Sequence, residues 1–212
     1  MLRFSVASDI VAVCRPAVAW LEGAQVVERE PRLTATLAEV ESLVRQQPPA
    51  EVAAVRTMYK RVGLDPTKTR PSSEALLRRV RKGDPLPRIN SLVDVCNWCS
   101  LEFQLPYGLY DAHAIEPPVA LRFGHDSESY PGIRKDAVNV GGRLVLSDAR
   151  GAFGNPTSDS ARTMTTISTR SVLCVIFAPA STAIARLAQV LDVTAERMRS
   201  FAGGRAAETA VI

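Results

Sequence analysis

Three groups of polar residues in this chain are denser than folding alone requires. The first is a line of Asp94, Asn97 and Ser100, spaced three apart in a segment that is otherwise apolar from Asn90 to Leu105. At helical pitch this spacing puts all three on one narrow stripe of a helix whose other faces are buried. Buried polar groups need partners, so the stripe is either a hydrogen-bond ladder to neighbouring loops or one wall of a ligand pocket. The second group follows directly, where Pro106 and Gly108 fix a loop on which Tyr107, Tyr110 and Asp111 converge. Asp111, at the exit of the buried helix, reads first as a cap on backbone amides. The third is Thr157, Ser158, Asp159, Ser160, Arg162 and Thr163, continued by Thr165, Thr166, Ser168 and Thr169. One Asp and one Arg in a hydroxyl-rich strand entrance can hold a water and the polar groups of an amino acid. Ser and Thr are also ordinary turn and edge residues.

Other chemistries are poorly provided for. The chain has no G-x-S-x-G, no phosphate loop, no H-E-x-x-H and no glycine fingerprint in strand-to-helix context. Its two histidines, His113 and His125, each stand alone on an expected loop. Cys96 and Cys99 form a C-x-x-C, but there is no second pair or histidine at ligand spacing, and the pair lies inside a helix-period apolar pattern rather than at a helix start. Neither a metal site nor a cofactor is expected.

The elements that must position these groups can be read from apolar spacing. A β-type opening is expected, with strands at Leu2 to Val6 and Ala17 to Leu21 around a helical turn begun by Ser8 and Asp9. Pro31 opens a helix carrying Leu33, Leu37, Val40 and Val44, which stops before Pro48 and Pro49. Val52, Val55, Tyr59 and Val62 mark a second helix ended by Gly63, and Pro71 to Ser73 open a third that stops at Gly83. After the buried helix, short apolar runs at Val119 to Phe123, Leu144 to Leu146, Met164 to Ser168 and Val172 to Phe177 have the rhythm of strands joined by turns. A last helix spans Ser181 to Phe201. About five helices and six strands, segregated along the chain, give an α+β fold with a mixed or antiparallel β core, sandwich or barrel-like, rather than a doubly wound sheet. No repeat or long linker divides residues 1 to 212, so one domain is expected.

Charge is uneven. Between Arg56 and Arg88 there are ten basic residues (Arg56, Lys60, Arg61, Lys68, Arg70, Arg78, Arg79, Arg81, Lys82 and Arg88) against Asp65, Glu74 and Asp84, a surplus of seven in a chain of net charge +4. Such a field attracts polyanions through counterion release, although the same residues could simply solvate two helix faces. Arginine outnumbers lysine here, which favours two-point contact with phosphate. Elsewhere the composition is that of a globular chain, 46% hydrophobic and 23% charged. No run approaches the ~18 apolar residues of a membrane span, and no signal segment is evident. A cytoplasmic address is expected.

Three stretches carry a resemblance to a known family. They are Arg61-Val62-Gly63-Leu64-Asp65-Pro66 running on to Val80, then Ile89-Asn90-Ser91-Leu92-Val93-Asp94-Val95-Cys96-Asn97, then Leu105-Pro106-Tyr107-Gly108-Leu109-Tyr110-Asp111. Together they resemble the B3/B4 domain of the phenylalanyl-tRNA synthetase beta subunit, and more closely its free-standing relatives. The resemblance runs from about Arg56 to Phe177, and its most specific part is the Val-Asp-x-x-Asn helix followed by the Pro-x-x-x-Tyr-Asp loop. It implies an α+β module whose pocket hydrolyses tRNA carrying a wrong amino acid. This chain would then be a trans-acting editor, or a tRNA-binding module without catalysis, with a pocket for a free amino acid or small nucleotide as a third option. The implied pocket joins Asp94, Asn97, Ser100, Tyr107, Gly108, Tyr110 and Asp111 to Ser158, Asp159, Ser160 and Arg162. The implied tRNA surface is Arg56, Lys60, Arg61, Lys68, Arg70, Arg78, Arg79, Arg81 and Lys82. Gly108 stands where the synthetase domain has a pocket histidine, and no counterpart of its editing glutamate is found, so no catalytic residue is assigned.

Overall fold

The computed structural model describes residues 3–47 and 52–212. In chain order the elements are β1 (Phe4–Val6), β2 (Cys14–Glu22), α1 (Arg32–Gln46), α2 (Val52–Arg61), α3 (Ser72–Arg81), α4 (Ser91–Phe103), β3 (Tyr107–Asp111), β4 (Val119–Phe123), β5 (Ser129–Gly132), β6 (Lys135–Asn139), β7 (Leu144–Asp148), β8 (Gly151–Gly154), β9 (Ser171–Pro179), α5 (Ile184–Ala202) and β10 (Arg205–Val211). One four-stranded sheet has the order β10-β2-β9-β3 and is antiparallel throughout. A second, β1-β4-β7-β8, contains one parallel pair, β1 with β4, and β5 and β6 form a separate hairpin. The fold is therefore α+β with mixed and antiparallel sheets, and the sheets do not close into a barrel.

The centre of the molecule is set by β9 and α4. All nine residues of β9 are buried, and its run of Val172, Leu173, Val175, Ile176 and Phe177 suits a strand paired on both edges and covered on both faces. Helix α4 begins where Asn90 accepts a hydrogen bond from Val93 N at 3.0 Å, the ordinary N-cap geometry. It ends at Gln104, which adopts the left-handed conformation at φ 54°. Its apolar girth packs against α1, α3 and α5, and Arg197 of α5 stacks 3.8 Å from the centre of the Trp98 ring.

Several elements differ from the sequence expectation. Residues 105–111, read as a loop, contain strand β3, because Tyr107, Gly108, Leu109 and Tyr110 are all buried and show no alternation to reveal a strand. The strand expected at Met164 to Ser168 is a single bridge at Met164 followed by turns. Here Thr169 Oγ1 accepts from Thr166 N and Thr166 Oγ1 accepts from Ser168 N, so the hydroxyls take the donors a strand would have paired. Ser8 and Asp9 begin turns rather than a helix. Ten strands are present among the described residues; β5, β6, β8 and β10 went unread because they are short, or rich in Gly, Pro and Ala. Leu2, Pro48 and Pro49 lie outside the described residues.

Candidate functional site

A cavity of about 330 Å³ opens at the outer edge of β3, the last strand of its sheet, next to the bridge between Tyr110 and Met164. One wall is α4 and the residue leading into it, with Ile89, Val93, Cys96 and Asn97. The floor is β3, with Tyr107 and Leu109, and the opposite wall comes from Ile133 and Arg134 at the β5–β6 turn and from Asp159, Met164 and Thr165. The lining is mainly apolar with a few polar groups, the usual make-up of a small-molecule site. Ile89 and Met164 on this lining are 50% and 40% exposed, so apolar surface faces solvent at the mouth.

The segment that presents Asp159 is fixed at both ends. Asn155 Oδ1 accepts from Thr157 N and Ser158 N, both at 2.8 Å, making an Asx turn around buried Pro156. Ile133 N donates to the Asp159 carbonyl at 3.1 Å, and Ser160 N donates to the Phe153 carbonyl at 2.9 Å. Ser160 Oγ then caps the next short turn by accepting from Arg162 N. The Asp159 side chain is half-buried, and Tyr110 Oη donates to its Oδ1 at 2.8 Å. Desolvation pushes the Asp159 carboxyl up to about 7, and the Tyr110 hydrogen bond opposes that rise. A carboxyl titrating near neutrality in a cavity has the protonation range a general base needs.

Of the sequence-predicted pocket residues, the structure brings Asn97, Tyr107 and Asp159 to the cavity and places Tyr110 directly behind Asp159. The Asn97 amide is half-buried and has no hydrogen-bond partner among the described residues, unlike its neighbours on the polar stripe. Asp94 is fully buried and faces the entry of its own helix, where it accepts from Ile89 N at 2.7 Å and pairs with Arg88 Nε at 2.6 Å. Ser100 donates to the Leu105 carbonyl at 2.8 Å. The stripe therefore divides, with two members serving the chain reversals at the ends of α4 and the middle one facing the cavity.

The remaining predicted residues lie off the cavity lining. Asp111 accepts from His113 N at 3.0 Å and from Thr169 Oγ1 at 2.7 Å, tying β3 to the turns after Met164. Ser158 gives its carbonyl to Tyr130 Oη at 2.5 Å. Arg162 turns away, donating to Asp148 and to the Ala114 carbonyl. Gly108 is covered by the Tyr110 hydroxyl. Thr165, from the hydroxyl-rich group, also reaches the lining, whereas sequence reasoning missed Ile89, Val93, Cys96, Leu109, Ile133, Arg134 and Met164. The positive φ of Arg134, 56°, belongs to the hairpin turn that carries it to the cavity; Pro131-Gly132 marks a turn there, but not that it reaches the pocket.

The basic segment also sorts into two classes. Arg56 makes a two-point pair with Glu74 at 2.7 and 2.8 Å, and Arg70 approaches the same carboxylate at 3.4 Å, which holds Glu74 below the ordinary carboxylate range. Arg56 thereby joins α2 to α3, Arg70 reaches Glu74 from the segment just before α3, and both arginines are half-buried. Lys60, Arg61, Lys68, Arg78, Arg79, Arg81 and Lys82 are exposed. The chain leaving α3 after Arg81 and Lys82 reaches Ile89 on the cavity wall.

The buried thiols are not activated. Burial pushes Cys14 up to about 12 and raises Cys96, Cys99 and Cys174. Among the described residues no three His, Cys, Asp or Glu side chains are grouped to hold a metal ion, and no helix is long and apolar enough to cross a membrane.

A family model described as the B3/4 domain matches residues 54–210. No curated protein matches this chain. Among solved structures, the crystal structure of an N-terminal fragment of the phenylalanyl-tRNA synthetase beta-subunit from Pyrococcus horikoshii is similar, with a TM-score of 0.53 and 12% identity. That match covers 96% of this chain and 50% of the fragment, so the chain spans about half of the fragment's length. At this identity the structural likeness speaks for the fold, while the family match extends from α2 through β10 and takes in every residue of the cavity lining. By that match, the chain belongs to the B3/4 domain family.

Proposed function

We propose that this chain is a cytoplasmic aminoacyl-ester hydrolase that removes wrong amino acids from tRNA. The observation that carries this reading is the Asp159 carboxyl, held by Tyr110 across a mainly apolar cavity from the unpartnered Asn97 amide. Membership of a family related in fold to a synthetase subunit supports a tRNA-related role.

The chemistry asked of the site is modest, because an aminoacyl ester is already activated. With Asp159 ionised, its carboxylate takes a proton from a water as the water oxygen bonds to the ester carbonyl carbon. The ester C–O bond then breaks, the ribose oxygen leaves with the proton that Asp159 took up, and free amino acid, uncharged tRNA and the ionised Asp159 result. Tyr110 occupies Oδ1, which leaves Oδ2 to meet the water. Asn97 offers its amide to the carbonyl or the amino group of the substrate, and Ile89, Val93, Leu109 and Met164 receive its apolar parts. Such positioning can supply the greater share of the acceleration. The exposed basic residues of α3, continuous in the chain with the cavity wall, are suited to the acceptor-stem phosphates.

The test is to incubate the protein with a panel of misacylated tRNAs and follow ester loss. Hydrolysis of at least one member that is lost in Asp159→Asn supports the reading. tRNA binding with no turnover across the panel replaces it with the non-catalytic module.

A further inference from the structure

Gly108 and Gly154 face the same side chain from two different sheets. A Cβ built on either glycine would lie 2.6 Å from Tyr110 Cζ, far inside van der Waals contact. Residues 108 and 110 point to the same face of β3, and residue 154 ends β8 in the second sheet. The ring of Tyr110 therefore lies in a slot made by the missing side chains of both glycines. Phe153 closes that slot edge-on, with ring centres 5.0 Å apart at 85°. Tyr110 is fully buried, and Asp159 is the hydrogen-bond partner of its hydroxyl. In turn, that hydroxyl is the only side-chain hydrogen-bond partner of the Asp159 carboxyl among the described residues.

We infer that Tyr110, seated in the Gly108–Gly154 slot, is a positioning residue that fixes the orientation and sets the charge state of Asp159. This rests on the hydrolase reading, in which Asp159 must be ionised with one oxygen free. A donor aimed at Oδ1 favours the ionised carboxylate and turns Oδ2 toward the cavity. A slot without side chains is what the job requires, because a methyl at either glycine would displace the ring and with it the hydroxyl. The other titratable groups facing Asp159 are Tyr130 from β5, Tyr59 from α2, Cys96 from α4 and Arg134 from the β5–β6 turn. The Tyr130 hydroxyl is committed to the Ser158 carbonyl and that of Tyr59 to the Pro156 carbonyl at 2.8 Å, so neither donates to the carboxyl. Arg134 shares the cavity lining with Asp159 and makes no ion pair with it among the described residues.

The experiment titrates the Asp159 carboxyl by carbon-13 NMR in the full chain without substrate, assigned with Asp159→Asn. In Tyr110→Phe the midpoint should rise by about one pH unit or more, as loss of a hydrogen bond to a charged group predicts. Tyr130→Phe should leave it in place, and Gly108→Ala, if folded, should raise it. With misacylated tRNA, the acidic limb of the Tyr110→Phe rate profile should move to higher pH by the same amount. A midpoint unmoved in Tyr110→Phe, or moved equally in Tyr130→Phe, overturns the assignment. Because the titration needs no turnover, a wild type that cleaves no ester defeats the hydrolase reading separately from the tuning.

Discussion

Arg162 and Asp148 close a two-point ion pair, Nη1 to Oδ2 at 2.9 Å and Nη2 to Oδ1 at 3.0 Å, around an Asp148 side chain that is fully buried. The guanidinium also donates to the Ala114 carbonyl and lies 5.7 Å from the centre of the Phe153 ring. This brace clamps the short turn after Asp159 to the end of β7, so an arginine that looked like a substrate ligand in the sequence is part of the wall that holds the cavity's carboxylate. Removing it strands a buried charge.

Arg162→Ala should therefore destabilise the fold by about 3 kcal/mol, the scale of a broken buried pair. Thermal or denaturant unfolding measures this. A variant with wild-type stability that fails only on substrate would return Arg162 to the list of ligands.

Asn97→Ala should behave in the opposite way. Its amide has no partner among the described residues, so the melting temperature should hardly change. Deacylation should fall by the equivalent of about 1 to 3 kcal/mol, the cost of leaving a substrate polar group unpaired. Affinity for tRNA should stay nearly intact. Lost stability with unchanged turnover would contradict this.

The contrast between these residues shows what the sequence could and could not reveal. The three-residue spacing of Asp94, Asn97 and Ser100 correctly defines a stripe on α4, since helical pitch is a local property. Which member faces the cavity depends on where Arg88, Ile89 and Leu105 lie, and these are set by chain reversals at the two ends of the helix. The capping role read for Asp111 corresponds to its bond from His113 N, two residues away. The meeting of Tyr110 with Asp159 joins positions 49 residues apart through the docking of two sheets, and no local pattern encodes it. Strand β3 was hidden for a related reason: burial on both faces erases the alternation that marks a strand.

Charge reversal of Arg78, Arg79 and Arg81 to Glu should weaken binding to every tRNA and flatten its salt dependence by about one unit of slope per lost phosphate contact. These side chains are exposed. Arg56 and Arg70, tied to Glu74, should affect stability instead. Unchanged affinity and slope in the triple variant would leave the basic run as a solvated helix face.

Asp159 carries a stability cost with a definite sign. Its carboxyl is raised to about 7 in the folded state, so between the ordinary carboxylate range and pH 7 the native protein holds a proton that the unfolded chain has released. Stability should therefore fall as pH rises through this window. Asp159→Asn should remove that slope and be more stable than wild type at pH 8, with little difference at pH 4. Parallel unfolding curves for the two proteins across this range would contradict the raised carboxyl.

The most direct measurement is the rate of ester loss from misacylated tRNA between pH 5 and 9, with wild type and Asp159→Asn side by side and the uncatalysed rate subtracted. The account predicts a wild-type rate that climbs with pH and levels off above about 7, following ionisation of Asp159, and no enzymatic rate in Asp159→Asn at any pH while tRNA affinity is kept. An Asp159→Asn variant that deacylates at the wild-type rate with the same pH profile would contradict it.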